Sequence, residues 1–173
     1  MMDSAQDRNA GRQFKPLIEV SLGIDQFSSS WKNCDRVSSY LAHMVCHNRS
    51  DPLHFSNLFS SALNELLETA YRQNSGNGDF ICRIFRDGGT DRIELTIPCE
   101  PAEIAFYQKS VAAACEPGAV EDYRQMLFSG GPLDPRIGLL ELAVDYDADI
   151  SIAVVDDCTV CLTADLTLEP TDN

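Results

Sequence analysis

Apolar positions along the chain switch between two periods, and each switch marks an element. Leu17 to Ile24 partly alternates and predicts a first strand. From Ser28 to His47 the apolar residues Trp31, Val37, Leu41, Met44 and Val45 recur at helical spacing, with Ser28, Ser29 and Ser30 offering an N-cap. Asn48 to Pro52 breaks that helix. The strongest pattern follows over Leu53 to Arg72, where Phe55, Leu58, Phe59, Ala62, Leu63, Leu66, Leu67, Ala70 and Tyr71 form a broad stripe. Its other side carries Ser61, Asn64, Glu65, Glu68 and Arg72. Asn74 to Gly78 ends it, because asparagine and glycine accept the left-handed backbone beyond a helix.

Asp79–Arg86 and Arg92–Cys99 read as strands joined by Asp87-Gly88-Gly89-Thr90, a hairpin sequence. Pro101 to Glu116 and Val120 to Phe128 are helical, separated by Pro117-Gly118. After the Ser129-Gly130-Gly131-Pro132 loop, Asp134-Pro135 opens a helix that runs to about Tyr146, with aspartate at the N-cap and proline at the first position. Ile150–Val155 and Val160–Leu168 predict a closing strand pair turned at Asp156-Asp157. This order predicts an α/β two-layer sandwich: a mixed, largely antiparallel sheet with helices on one face. Residues 15–168 read as one domain, 1–14 as a disordered tail and 169–173 as a polar tail.

Charge narrows the classes of partner. The net charge is −14, and the 13 basic residues form no stripe, which argues against nucleic acid and anionic membrane surfaces. No apolar run approaches the roughly 18 residues that span a bilayer, and the first residues are polar where a secretion leader is apolar. The seven cysteines are an odd number and several sit in apolar runs, so free, mostly buried thiols in a cytoplasmic protein are expected.

Three local features, in order, resemble the GHKL ATPases, the Bergerat-like fold of histidine kinases and anti-sigma-factor serine kinases. Ser61-Ala62-Leu63-Asn64-Glu65-Leu66-Leu67-Glu68-Thr69-Ala70 resembles the N-box helix. The strand pair ending at Ile97-Pro98-Cys99 stands where the first glycine box begins. Gly130-Gly131, followed by Ile137-Gly138-Leu139-Leu140, resembles the second glycine box opening a helix. The departures are as informative. The family's N-box carries an Asn that binds Mg²⁺ four residues after its Glu; Glu65 fits the first position, but Thr69 stands at the second. The family's Asp-x-Gly-x-Gly is replaced by Pro98-Cys99-Glu100-Pro101-Ala102, which has no glycine to admit an adenine ring.

The resemblance therefore implies a non-catalytic bacterial regulatory module, without Mg-ATP, that binds a protein partner in a phosphatase/antagonist-type signalling circuit. By the same resemblance a flavin nucleotide, FAD, takes the place of ATP. Its pocket would lie between Asn64, Glu65, Glu68, Thr69 and Arg72 on one side and Gly130, Gly131, Arg136 and Gly138 on the other. Arg72, Arg136 and backbone N–H groups would meet phosphate. Two alternatives stay open: an active serine or histidine kinase with an atypical nucleotide site, and a ligand-free homodimerising interaction protein.

Other constellations have plainer explanations. Glu65 stands where a general base could act, but it reads more plainly as a solvated residue on a polar helix face. His43, Cys46 and His47 fall within one turn but lack a carboxylate to complete a zinc site. Cys158 and Cys161 have CxxC spacing, yet on a strand they point to opposite faces. Asp145-Tyr146-Asp147-Ala148-Asp149 imitates a calcium loop but has Ile150 where that loop turns on glycine.

Overall fold

The computed structural model describes residues 11–74 and 77–169; most of the expected N-terminal tail, and residues 170–173, lie outside the described residues. The elements are β1 (Lys15–Gly23), α1 (Ile24–Ser28), α2 (Lys32–Cys46), α3 (Pro52–Gln73), β2 (Asp79–Asp87), β3 (Thr90–Pro98), α4 (Pro101–Ala114), α5 (Ala119–Phe128), α6 (Ile137–Asp145), β4 (Asp149–Asp156) and β5 (Thr159–Thr167). The strands form one sheet in the order β1-β2-β3-β5-β4, and every pairing is antiparallel. The period of two puts Cys82, Ile84, Ile93, Leu95, Leu162 and Ala164 on a single face. That face meets the helices in one core with Leu41, Phe59, Leu63, Leu66 and Leu67, all fully buried. The architecture is the two-layer α/β sandwich read from the sequence.

The helix boundaries follow from local chemistry. Asp51 caps α3, its Oδ1 accepting the His54 N–H at 3.1 Å with Pro52 at the first helical position. Glu100 and Glu103 close a capping box on α4, again with proline first. Two expectations are corrected. The serines at 28–30 do not cap the second helix; Ser28 ends the short α1 and Trp31 stands at the start of α2. Asp134 does not cap α6 either. Its Oδ1 accepts the Arg136 N–H at 2.9 Å and its carboxylate pairs with the Arg136 guanidinium, so the helix begins two residues later.

Polar contacts lock the end of the sheet where the β2–β3 hairpin turns. Asp91 is fully buried and receives Arg49 at 2.7 Å and Arg86 at 2.6 and 2.9 Å. Arg49 also reaches Glu169 at 2.9 Å, and Ser50 and Arg49 together hold that carboxyl down at about 2. Gly89 is required at the turn, since a Cβ there would lie 2.1 Å from the Glu169 carbonyl oxygen. Glu169 thus stands in this network, and Arg12 and Phe14, within the segment expected to be a tail, touch the sheet's open face: Phe14 stacks on the Arg92 guanidinium, 4.0 Å from the ring centroid.

Candidate functional site

Six of the nine residues assigned to a ligand by sequence lie on α3 and α6. Asn64, Glu65, Glu68, Thr69 and Arg72 are on α3, where Glu65 and Thr69 meet Gly138 of α6 at the seam between the two helices. Glu68 is buried and held from both sides, by Asn64 Nδ2 at 2.7 Å and Arg72 Nη2 at 2.8 Å. Thr69 is buried and donates its hydroxyl to the Glu65 carbonyl at 2.9 Å, one turn back. Asn64 Oδ1 is buried with no hydrogen-bond partner.

Across the seam, α6 brings Gly138 against the same turn. A Cβ at Gly138 would lie 2.6 Å from Thr69 Oγ1 and 3.4 Å from both the Glu65 carbonyl and Glu65 Oε2. The missing side chain is what lets the two helices touch, and Tyr146 at the end of α6 reaches Ser61 of α3. Gly130, Gly131 and Arg136 are not brought to the seam. The two glycines are exposed in the loop before α6, and Arg136 is occupied by Asp134 at 2.8 Å.

The seam is acidic. Burial, then Glu141 and Glu68, push the Glu65 carboxyl up to about 7. Burial, then Asp145 and Glu68, raise Glu141 as well. Tyr123 of α5 donates to Asp145 at 2.8 Å, tying α5 to α6. The one cation among these side chains, Arg72, already serves Glu68. The two helices are in direct contact at Gly138, and Arg72, already paired with Glu68, is not free to meet a phosphate there. Among the described residues no group of three or more His, Cys, Asp or Glu side chains is placed to hold a metal ion. Cys46 is buried while His43 and His47 point outward. The cysteines are all free thiols, and no helix is long and apolar enough to cross a membrane among the described residues.

A second feature was not read from the sequence. A cavity of about 460 Å³ opens where β4 begins, lined by Arg92, Cys115, Asp147, Asp149, Thr163 and Asp165 among others. Arg92 grips Asp165 bidentately at 2.7 and 2.8 Å. Asp147 turns into β4 with φ 48°, in the left-handed region that aspartate enters more readily than most non-glycine residues. Cys115 donates its thiol to the Ile150 carbonyl at 3.3 Å. Asp147 and Asp149 have no ion-pair partner among the described residues. Strand alternation marks Arg92 and Asp165 as outward-facing, but only the β3–β5 register, Arg92 opposite Asp165, brings them together.

No protein-family model matches the sequence, and no curated protein matches it. The fold is similar to that of a chain in the crystal structure of the SiaB–SiaC complex from Pseudomonas aeruginosa, with a TM-score of 0.66 at 14% identity over 93% of this chain and 94% of that one.

Proposed function

We propose that this chain is a regulatory module of a signalling pair, acting by binding a protein partner and not by phosphoryl transfer. The observation that carries the reading is the contact of Gly138 with Thr69. The GHKL resemblance puts a nucleotide between the N-box helix and the second glycine box. Here those two elements touch, Thr69 stands where the family has its metal-binding asparagine, and Arg72, the cation on that stretch of helix, is taken up by Glu68. The similar fold belongs to a protein crystallised in a two-protein complex, which supports a partner as the ligand. Flavin does not enter this reading, because it needs the same closed seam.

The test is crosslinking of the full chain in its native cell, followed by reconstitution of the recovered protein with the purified chain. The reading expects a complex of fixed stoichiometry that forms without nucleotide and without phosphate transfer. Failure of every recovered protein to rebind in purified form overturns it.

A further inference from the structure

We propose that β4 is a docking edge for an extended segment of a partner protein, with β-branched residues in its middle and Lys or Arg at its ends. The inference deepens the partner-binding reading above and rests on it.

The two edges of the sheet are treated differently. β1, at one end, carries Lys15, Pro16 and Glu19 and a register irregularity between Pro16 and Ile18. Charges, proline and bulges are the usual guards against a further strand pairing there. β4, at the other end, reads Asp-Ile-Ser-Ile-Ala-Val-Val-Asp and pairs only with β5. Between its terminal aspartates there is neither charge nor proline. Its single guard is the bulge between Val154 and Asp156, which leaves Asp149–Val154 in regular register. Ser151, Ala153, Val154 and Val155 are exposed, Val154 at 47% and Val155 at 60%. Alternate residues of an edge strand turn N–H and C=O outward, ready for a ladder with an added strand.

Charge selects the occupant. Asp147 and Asp149 stand at the start of the strand, beside the 460 Å³ cavity, and Asp156 and Asp157 stand at its end. A second copy paired antiparallel over the full strand would set Asp149 against Asp156, an in-register parallel pairing would set each aspartate against its twin, and in any register two chains of net charge −14 repel. Like charges directly opposite oppose pairing. A segment with a basic residue at each end meets both acidic ends; in the cavity Arg12 and Arg92 both pair with Asp165, which leaves Asp147 and Asp149 to meet its first side chain.

The probe is a fluorescein-labelled peptide of alternating valine and threonine, as long as β4, with arginine at both ends, titrated against the full chain by fluorescence anisotropy. The counterpart ends in glutamate. The proposal expects saturable binding of the arginine peptide, weaker binding of the glutamate peptide by at least about tenfold, and slowed amide exchange over 150–155. Asp149→Asn combined with Asp156→Asn should cut affinity for the arginine peptide by about tenfold with an unchanged melting temperature. Asparagine keeps an acceptor for the Cys158 N–H that Asp156 now serves at 2.9 Å. No binding, equal affinity for the two peptides, exchange protection elsewhere, or self-association through β4 overturns the proposal. If any of these occurs while a purified partner still binds, the docking surface is elsewhere and the partner-binding reading stands; if no partner rebinds, that reading falls on its own test.

Discussion

Gly138 of α6 sits so close to Thr69 of α3 that a single added methyl would lie 2.6 Å from the threonine hydroxyl oxygen. That contact closes the seam, and it is testable by a double-mutant cycle. Gly138→Ala should destabilise the protein by about 1–3 kcal/mol, the usual range for overpacking a filled interface. Thr69→Ala removes the atom in the way, so Gly138→Ala in that background should recover most of the loss. Chemical denaturation of the four proteins checks it; additive losses would mean that the two residues do not meet.

The carboxyl of Glu65 gives the seam a pH dependence with a definite sign. Its value rises from the ordinary 4.5 to about 7 on folding, so the folded state holds the proton more tightly. Stability from this group is present below about pH 4.5 and is lost as pH rises toward 7. Glu65→Gln should match the wild type at acidic pH and exceed it by about 1 kcal/mol above pH 7, after allowance for screening at a half-exposed site. Paired denaturation curves across that range are the check, and a constant difference between the two proteins would contradict it.

The buried ion network offers a larger effect. Asp91 is fully buried between Arg49 and Arg86. Asp91→Ala leaves two guanidinium groups facing each other in the interior, and about 3–5 kcal/mol of stability should go with it. Thermal unfolding of the variant measures this; a loss within the error of a surface substitution would show that the network contributes little.

Leu66 is fully buried in the core. Leu66→Ala should cost about 2–5 kcal/mol, the transfer loss plus the cavity left behind. A loss under about 1 kcal/mol in denaturant would place the buried face of α3 elsewhere.

The fold was legible because the two periods are clean. The stripe from Phe59 to Ala70 is the face that α3 buries, and the alternation of Cys82 and Ile84 or Ile93 and Leu95 is the inner sheet face. Helix starts were less legible. Asp134 and Ser28 carry cap-forming side chains, but their backbones lie in a turn and at a helix end, and short polar side chains serve those places equally well. Trp31 and Met44 fit a helical stripe yet are exposed, because the buried face of α2 runs through Cys34, Ser38, Ala42 and Cys46 beside Leu41 and Val45, and periodicity in large residues overlooks the small ones. That Glu65 and Thr69 stand one turn apart on α3 was legible, because helical spacing fixes it. The depth of Glu68 was not, since it depends on Asn64 and Arg72 closing over it. The cavity beside β4 was invisible to sequence because strands far apart in the chain build it: Arg92 and Asp165 meet only through the β3–β5 register.

The most direct test of the account is a calorimetric titration of the full chain with ATP and Mg²⁺, repeated with a γ-labelled nucleotide and the reconstituted partner to read transfer. A closed Gly138–Thr69 seam and a helix without the metal-binding asparagine predict no saturable heat and no label on either protein. Saturable, Mg²⁺-dependent binding accompanied by label on the partner would contradict the account and make the chain a kinase.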